Sequence, residues 1–290
     1  MSRLKPAPAT KRLGAEYALI SKQDHGAPST GVSLKDRAAQ ERLFRDVLEQ
    51  LQPHIAAVES GQWMQAQEAR TDKLEPIVAA CRKLREGVYA LAQLDEFSVD
   101  VYEAAAQACM AAQRNDELHK TLVVLVREIY PAVAIGLDPA RARRRRDFIG
   151  CLALRLLCQD ANSGEFNSLL QQLSRADIES PPLQFVLAVH GAVSLRRFRA
   201  FFKLCRSASP WHALVLETFK SNVRQTAISI LTASFPSLPL SVLAHWLELT
   251  DDNCRQFLEQ TCRFTADQLG DGLTVTFRSA HSTRVPAPVK

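Results

Sequence analysis

Glycine is scarce in this sequence, with 11 residues among 290. This scarcity argues against a loop-rich all-β fold and against a nucleotide-binding fold, because both use glycine where the backbone turns sharply or approaches a phosphate. No apolar run is long enough to span a membrane, so no membrane partner is expected. Residues 1–14 contain no apolar stretch, and we therefore expect no secretory signal.

Residues that carry catalysis or bind metals are also missing in the required spacing. The seven cysteines include no C-x-x-C pair, and most stand among apolar residues, which is typical of reduced core thiols in an intracellular protein. No phosphate-binding glycine loop occurs, and His190, His212 and His245 have no acid at catalytic spacing. We expect neither an enzyme nor a bound cofactor or metal, and a cytoplasmic or nuclear location.

Apolar residues recur at helical spacing over most of the chain, which predicts an all-α body. Residues 1–33 are rich in Pro, Ala, Ser and Lys and are predicted to be a disordered basic tail. Helices are expected over 34–94, and three helical hairpins over 95–212. In these hairpins the second helix opens at Leu118, Phe166 and Phe198. Such weak repetition is typical of a TPR-like helical-repeat solenoid, in which each hairpin buries its apolar face on the next.

The densest positive charge lies between the first two hairpins, where Gly136 and Pro139 predict a loop. The loop could contact phosphates or serve as a nuclear address. The alternative is a solvated loop that leads into a helix. Its arginines are Arg141, Arg143, Arg144, Arg145 and Arg146.

A second basic element is predicted as a helix over 195–207. One side carries Arg196, Arg199, Lys203 and Arg206, and the other side carries Phe198, Phe201, Phe202 and Cys205. No acid occurs between Glu179 and Glu217. A basic face without nearby counter-ions is available to nucleic acid or to an acidic peptide. A solvated amphipathic helix is the alternative.

The C-terminal part is predicted to contain helices followed by a β-hairpin. Thr250 is expected to cap a helix that begins with two acids, and residues 270–272 signal a tight turn. Leu273, Val275 and Phe277 then alternate with polar residues, as in a half-buried strand. This order of elements predicts a winged-helix module over 213–281, with a flexible tail at 282–290. The two acids argue against groove reading by that helix.

Three motifs resemble those of a known family. They are Phe97–Glu103 (FSVDVYE), Phe198–Leu204 (FRAFFKL) and Pro236–Leu240 (PSLPL). With them, residues 95–277 resemble the PCI domain and, most closely, the SAC3/GANP family in its Thp and leukocyte-receptor-cluster-like branch. Two features depart from the family pattern. Its basic segment before the first repeat is absent, and its glycine-asparagine turn before the aromatic is replaced by Leu195-Arg196-Arg197.

The resemblance implies a non-enzymatic scaffold with a helical-repeat body and a C-terminal winged helix. Its partners would be another PCI-domain subunit, a small acidic protein of the DSS/Sem type, and RNA or DNA bound without sequence preference. It implies a role in transcription and mRNA export, in the nucleus and also in the cytoplasm. Arg278 joins the two basic elements as a candidate nucleic-acid contact, and Leu273, Val275 and Phe277 are candidate partner contacts. The runner-up is a PCI scaffold of the proteasome lid, the COP-nine signalosome or a translation initiation factor complex.

Overall fold

Most of the described part of the chain is helical, as the apolar periodicity predicted, and its one sheet has two short strands. The computed structural model describes residues 13–14, 16–17, 32–65, 67–92, 94–133, 138–158, 163–269 and 274–277. The chain divides into two compact units. One comprises Met1–Leu183 with Ser209–Val215, and the other comprises Gln184–Ala208 with Leu216–Lys290. Within the described ranges, no helix combines the length and the apolar character that crossing a membrane requires.

The first unit is a stack of helices. They are α1 (Arg37–Glu59), α2 (Gln67–Ala90), α3 (Glu96–Ala111), α4 (Asn115–Val124), α5 (Tyr130–Ala132), α6 (Pro139–Cys158), α7 (Ser163–Gln172) and α8 (Arg175–Ile178). A 3-10 turn at Gln62–Gln65 lies between α1 and α2, and a π-helical turn at Leu125–Ile129 lies between α4 and α5. Helix α3 packs against α1, α2 and α4. Its buried alanines allow this close approach: Ala104, Ala105, Ala106 and Ala108.

Most of the predicted N-terminal tail lies outside the described residues. Of the part that is described, Tyr17 is buried, and its carbonyl oxygen accepts a hydrogen bond of 2.7 Å from Lys83 Nζ. The same ammonium donates to the carbonyl oxygen of Gly14 at 2.8 Å. A buried aromatic ring and two charge-assisted hydrogen bonds thus attach this short segment to α2.

The second unit begins within α9 (Pro181–Ser194) and includes α10 (Phe198–Ser207) and most of α11 (Pro210–Ser234). Strand β1 (Ser237–Pro239), helices α12 (Leu240–Leu247), α13 (Asp251–Gln260) and α14 (Ala266–Leu269), and strand β2 (Thr274–Thr276) follow. The predicted cap of α13 is confirmed, since Thr250 Oγ1 accepts from the backbone N–H of Asn253 at 3.3 Å. The threonine oxygen thereby accepts from a backbone N–H of the first turn, which would otherwise have no partner within the helix.

The strand pair differs from the predicted hairpin. Strand β2 lies where the alternation predicted it, but its antiparallel partner in the described residues is β1, which precedes α12. Leu238 stands opposite Val275, and both are buried. The sequence predicted only a break at Pro236 and Pro239, because strand β1 is too short to show an alternating pattern. The predicted tight turn at 270–272 lies outside the described residues.

Burial of His212 makes the stability of the first unit depend on pH. The ring nitrogen Nε2 of His212 lies 3.2 Å from the carbonyl oxygen of Asp147. A Cβ atom added to Gly150 would lie 2.7 Å from the same nitrogen, so the ring is closely packed. Burial lowers the pKa of His212 to about 4, against a smaller opposing effect of that hydrogen bond. The folded protein therefore holds the ring neutral at pH values where the unfolded chain protonates it.

We expect the free energy of unfolding to fall as the pH is lowered from about 6.5 towards about 4. At pH 4.5 the His212 contribution to this loss should be about 2–3 kcal/mol relative to pH 7. Urea unfolding at both pH values, on the wild type and on His212→Gln, measures it. The variant has no proton to gain at this position, so an equal loss in both proteins would contradict the assignment.

Candidate nucleic-acid interface

Helix α10 separates an aromatic side from a basic side, as the sequence predicted. Phe201 and Phe202 are 0% and 1% exposed, and their ring centroids lie 5.2 Å apart in an edge-to-face arrangement. On the other side Arg199, Lys203 and Arg206 are exposed. We call these three residues the basic face. Burial of the phenylalanine rings fixes the orientation of the helix and thereby directs the cations to solvent.

Arg196 does not belong to this face, because α10 begins at Phe198. The residue has a φ of 54° in the turn after α9. Its backbone N–H donates to the Val193 carbonyl at 3.1 Å, and the next N–H, of Arg197, donates to the Ala192 carbonyl at 2.8 Å. This is a Schellman motif, which ends α9 and satisfies two of its last carbonyl oxygens. The predicted stripe therefore loses its first member.

Replacing Arg196 by glycine should stabilise the protein, since glycine adopts a positive φ without the steric cost of a Cβ atom. We expect the free energy of unfolding to rise by about 1 kcal/mol relative to Arg196→Ala. The alanine variant removes the same charge and side chain but keeps the Cβ atom. Equal midpoints of denaturant unfolding for the two variants would contradict the strain at this position.

The basic face borders a groove between α10 and α12, here called the α10–α12 groove, with a volume of about 560 Å³. Arg199 and Lys203 line it and have no ion-pair partner among the described residues, whereas Arg206 pairs with Glu248. Trp246 and His245 also line it. Two unpaired cations next to an aromatic side chain are the combination that single-stranded nucleic acid requires, for phosphates and for bases respectively.

Trp246 is half-buried, packs against the apolar core with part of its side chain and lines the α10–α12 groove. The apolar stripe of α12 consists of Leu240, Leu243, Ala244 and Leu247, which have the i, i+3, i+4, i+7 spacing. Trp246 lies off this stripe. The position of Trp246 outside this apolar stripe was therefore the signal in the sequence that its ring lies at the edge of the core.

The arginine-rich segment is helical, so the predicted loop is wrong. Pro139 is the first residue of α6, where its missing N–H costs little, and Asp138 accepts from the backbone N–H of Ala140 at 3.0 Å. Four arginines of α6 form ion pairs with acidic residues of other helices. The N···O distances are 3.5 Å for Arg141–Glu96, 3.7 Å for Arg141–Asp100, 3.6 Å for Arg144–Glu103, 2.7 Å for Arg145–Asp177 and 3.5 Å for Arg146–Asp177.

Asp177 neutralises part of the positive charge of α6, because it pairs with both Arg145 and Arg146. The residue is 3% exposed, and burial by itself would raise the pKa of its carboxyl group. The hydrogen bonds from Arg145 and Ser174 and the charges of Arg145 and Arg146 outweigh burial, so the pKa is lowered. Arg143 remains exposed and forms no ion pair among the described residues. The two basic elements thus differ, since most cations of α6 are neutralised and those of α10 are largely unpaired.

Comparison with known families places this geometry in context. The model of the SAC3/GANP family matches residues 87–267, more than half of the chain. The chain belongs to the SAC3/GANP family. The match includes α10 and α12, and it confirms the resemblance read from the three sequence motifs. A search of the curated proteins found no match.

Of the remaining candidate residues of this SAC3/GANP-family chain, two belong to an apolar core and two lie outside the described residues. Val275 and Phe277 are 1% and 9% exposed and belong to the apolar core of α12, α13 and α14. The Phe277 ring stands 6.0 Å from that of Phe264. Leu273 and Arg278 lie outside the described residues. A role of these four residues in binding stays a prediction.

The cysteines of the family member behave as core thiols. Six are buried and Cys262 is half-buried. Burial raises the pKa of Cys81 and Cys205 to about 12, so both thiols stay protonated at neutral pH. Across the described residues, no group of three or more His, Cys, Asp or Glu side chains could hold a metal ion.

Proposed function

We propose that this SAC3/GANP-family chain is a non-enzymatic scaffold subunit that binds nucleic acid through the basic face and the α10–α12 groove. It acts in transcription-coupled mRNA processing and nuclear export, and its location is nuclear. The observation that carries the proposal is the pair of unpaired cations, Arg199 and Lys203, next to Trp246. Phosphate contacts of this kind depend on salt and carry no sequence information.

The aromatic side chain makes single strands the preferred form of nucleic acid. A base that is free of a partner strand can stack on an indole ring, whereas a base within a duplex cannot. Glu248 lines the same groove but is paired with Arg206, so this carboxylate offers little repulsion to a phosphate. The phosphate contacts therefore fall on Arg199 and Lys203.

We also propose that the C-terminal elements form the winged helix of a PCI domain. Helices α11, α12 and α13, followed by the short helix α14 and strand β2, resemble the order of that module, and the strand pair joins its two ends. The first turn of α13 carries Asp251 and Asp252, both exposed. Because carboxylates repel phosphates, this helix suits assembly with another PCI-domain subunit better than insertion into a nucleic-acid groove.

A third part of the proposal is a small acidic partner of the DSS/Sem type. Acidic residues are absent from the whole stretch between Glu179 and Glu217, while α10 and the preceding turn are basic. An acidic polypeptide would find no like charge along this stretch, which favours its association.

A mobility-shift titration of the full chain tests nucleic-acid binding. The probes are a single-stranded RNA of about 20 nucleotides and a DNA duplex of equal length. Two phosphate contacts predict that affinity for the single strand falls about sevenfold between about 50 mM and about 200 mM salt. Absence of binding to either probe at the lower salt would refute the nucleic-acid role. A protein-only scaffold, as in the proteasome lid, the signalosome or an initiation factor complex, would then be favoured.

A further inference from the structure

The α10–α12 groove contains one carboxylate beside its cations. Glu248 is the only acid among the described residues that line the groove, and its side chain is 28% exposed. Nη1 of Arg206 donates a hydrogen bond to Oε1 of this glutamate. The other oxygen, Oε2, accepts no hydrogen bond from the described residues. Because each carboxylate oxygen has two lone pairs, acceptor capacity remains available to a ligand.

The backbone at Glu248 is held by two helices of the second unit. Glu248 follows α12 with a φ of 51°, and the next N–H, of Leu249, donates to the Ala244 carbonyl at 3.0 Å. From α11, Nε of Arg224 donates to the Leu247 carbonyl at 3.0 Å, and its Nη2 donates to the Glu248 carbonyl at 3.5 Å. The carboxylate is thus carried by a fixed backbone, and a binding group that is fixed beforehand loses less entropy when a ligand binds.

Trp246 lies two positions before Glu248 in the sequence and lines the same groove. Its ring centroid is 6.4 Å from that of Phe235, and the side chain is half-buried, so part of the indole is supported by the protein. A base that stacks on the remaining surface of the indole brings its hydrogen-bonding edge among the polar groups that line the groove. The ring and the Arg206–Glu248 pair therefore offer one base both a flat apolar contact and a polar edge contact.

The ion pair discriminates between bases by its order of donors and acceptors. An arginine N–H next to two carboxylate oxygens offers a donor, an acceptor and an acceptor, which is the order that cytosine presents to guanine. Guanine alone among the four bases has two adjacent N–H groups, at N1 and N2, for the carboxylate, and its O6 accepts from the guanidinium. Uracil presents one N–H between two carbonyl oxygens, which the carboxylate repels. Adenine and cytosine place a ring-nitrogen acceptor next to their amino group.

We propose that the α10–α12 groove prefers guanine at one position of a single strand, with the base stacked on Trp246 and its edge bound by Glu248 and Arg206. The inference rests on the proposed function, because it names the base that the nucleic-acid site selects. The phosphate contacts of Arg199 and Lys203 remain independent of sequence, so the preference concerns one base. Glu248 is then the residue that determines this specificity.

Three labelled single-stranded RNAs of about 12 nucleotides test the preference. One contains only uridine, and in the other two every third nucleotide is guanosine or inosine. Inosine has the purine ring of guanosine without the N2 amino group, so this pair of strands isolates one edge contact from stacking. Fluorescence anisotropy with the full chain at about 0.1 M salt measures the affinities. The guanosine strand should bind at least about fivefold more tightly than the inosine strand, because a base-edge contact discriminates by this factor or more.

Glu248→Gln should remove the preference for guanine. An amide has one acceptor oxygen and cannot accept from both N–H groups of guanine, so the guanosine and inosine strands should bind within about twofold of each other. Binding of the uridine strand should not weaken, because the phosphate contacts remain and the groove loses a negative charge. Glu259→Gln makes the same change of charge at an exposed position of α13 outside the groove and should keep the preference. Both variants should melt with the wild type, since a solvent-accessible ion pair contributes little to stability.

The outcomes separate this inference from the proposed function. Equal binding of the guanosine and inosine strands by the wild type would overturn the inference, while the proposed function stands if the strands bind. A preference that persists in Glu248→Gln would assign base recognition to other residues and overturn it as well. Loss of the preference in Glu259→Gln would show a general effect of charge, with the same consequence. If no strand binds, the nucleic-acid function fails and this inference fails with it.

Discussion

Replacement of both Arg199 and Lys203 by glutamate is expected to weaken binding of a single-stranded RNA by at least about 25-fold at 0.1 M salt. Each phosphate contact to a single strand contributes a factor of about five at this salt, because neutralising a phosphate releases a bound counterion. Two contacts multiply to the stated factor, and the introduced carboxylates add repulsion. Both positions are exposed, so the variant should fold normally.

A matched variant controls for net charge. Arg42→Glu with Arg45→Glu makes the same change of charge at exposed positions on α1. It should retain nearly all of the affinity, because these residues lie in the first unit and not in the α10–α12 groove. A titration over several salt concentrations gives a second measure. The slope of log affinity against log salt should fall by about 1.4 in the Arg199/Lys203 variant. An unchanged slope would show that the phosphate contacts are made by other residues.

Replacement of Phe202 by alanine should lower the free energy of unfolding by about 3–5 kcal/mol. The ring is 1% exposed and contacts Phe201 at a centroid distance of 5.2 Å. On its other side the guanidinium carbon of Arg224 lies 5.4 Å from the ring centroid. Truncation would leave a cavity next to a half-buried cation whose pKa burial already lowers. Both effects destabilise the folded state.

Phe235 provides the comparison for this prediction. It is 39% exposed and its ring centroid lies 6.4 Å from that of Trp246, so Phe235→Ala removes the same atoms from a partly solvated site. Its cost should be about 0.5 kcal/mol. Guanidinium unfolding of both variants, at constant pH, gives the two values. A Phe202→Ala variant as stable as Phe235→Ala would show that the ring at 202 faces a partner and not the core.

The properties that sequence reasoning predicted correctly depend on neighbours along the chain. The two sides of α10 follow from residues three and four positions apart, and the Thr250 cap follows from one side chain and the N–H three residues later. Strand β2 likewise follows from local alternation. In each case the deciding contacts lie within one turn or one strand, so the sequence pattern contains them.

The predictions that failed have two causes, which are a partner far away in the chain and a local pattern that fits more than one structure. Strand β1 has three residues and is defined by its pairing with β2, which no local pattern shows. Arg196 adopts a positive φ because the end of α9 requires two hydrogen bonds there, and the arginine itself gives no sign of it. The helical start at Pro139 was misread because proline is typical both of loops and of the first position of helices.

By itself the sequence determined that this chain is helical, that its aromatic and basic residues separate on α10, and, through three motifs, that it belongs to the SAC3/GANP family. Only the tertiary structure decided which cations remain available to a partner. The arginines of α6 meet carboxylates such as Asp177, which lies 32 positions from Arg145, whereas Arg199 and Lys203 meet none in the described chain. The physical reason is that charge neutralisation depends on distances of a few ångströms in space, and these are set by the packing of elements and not by their order.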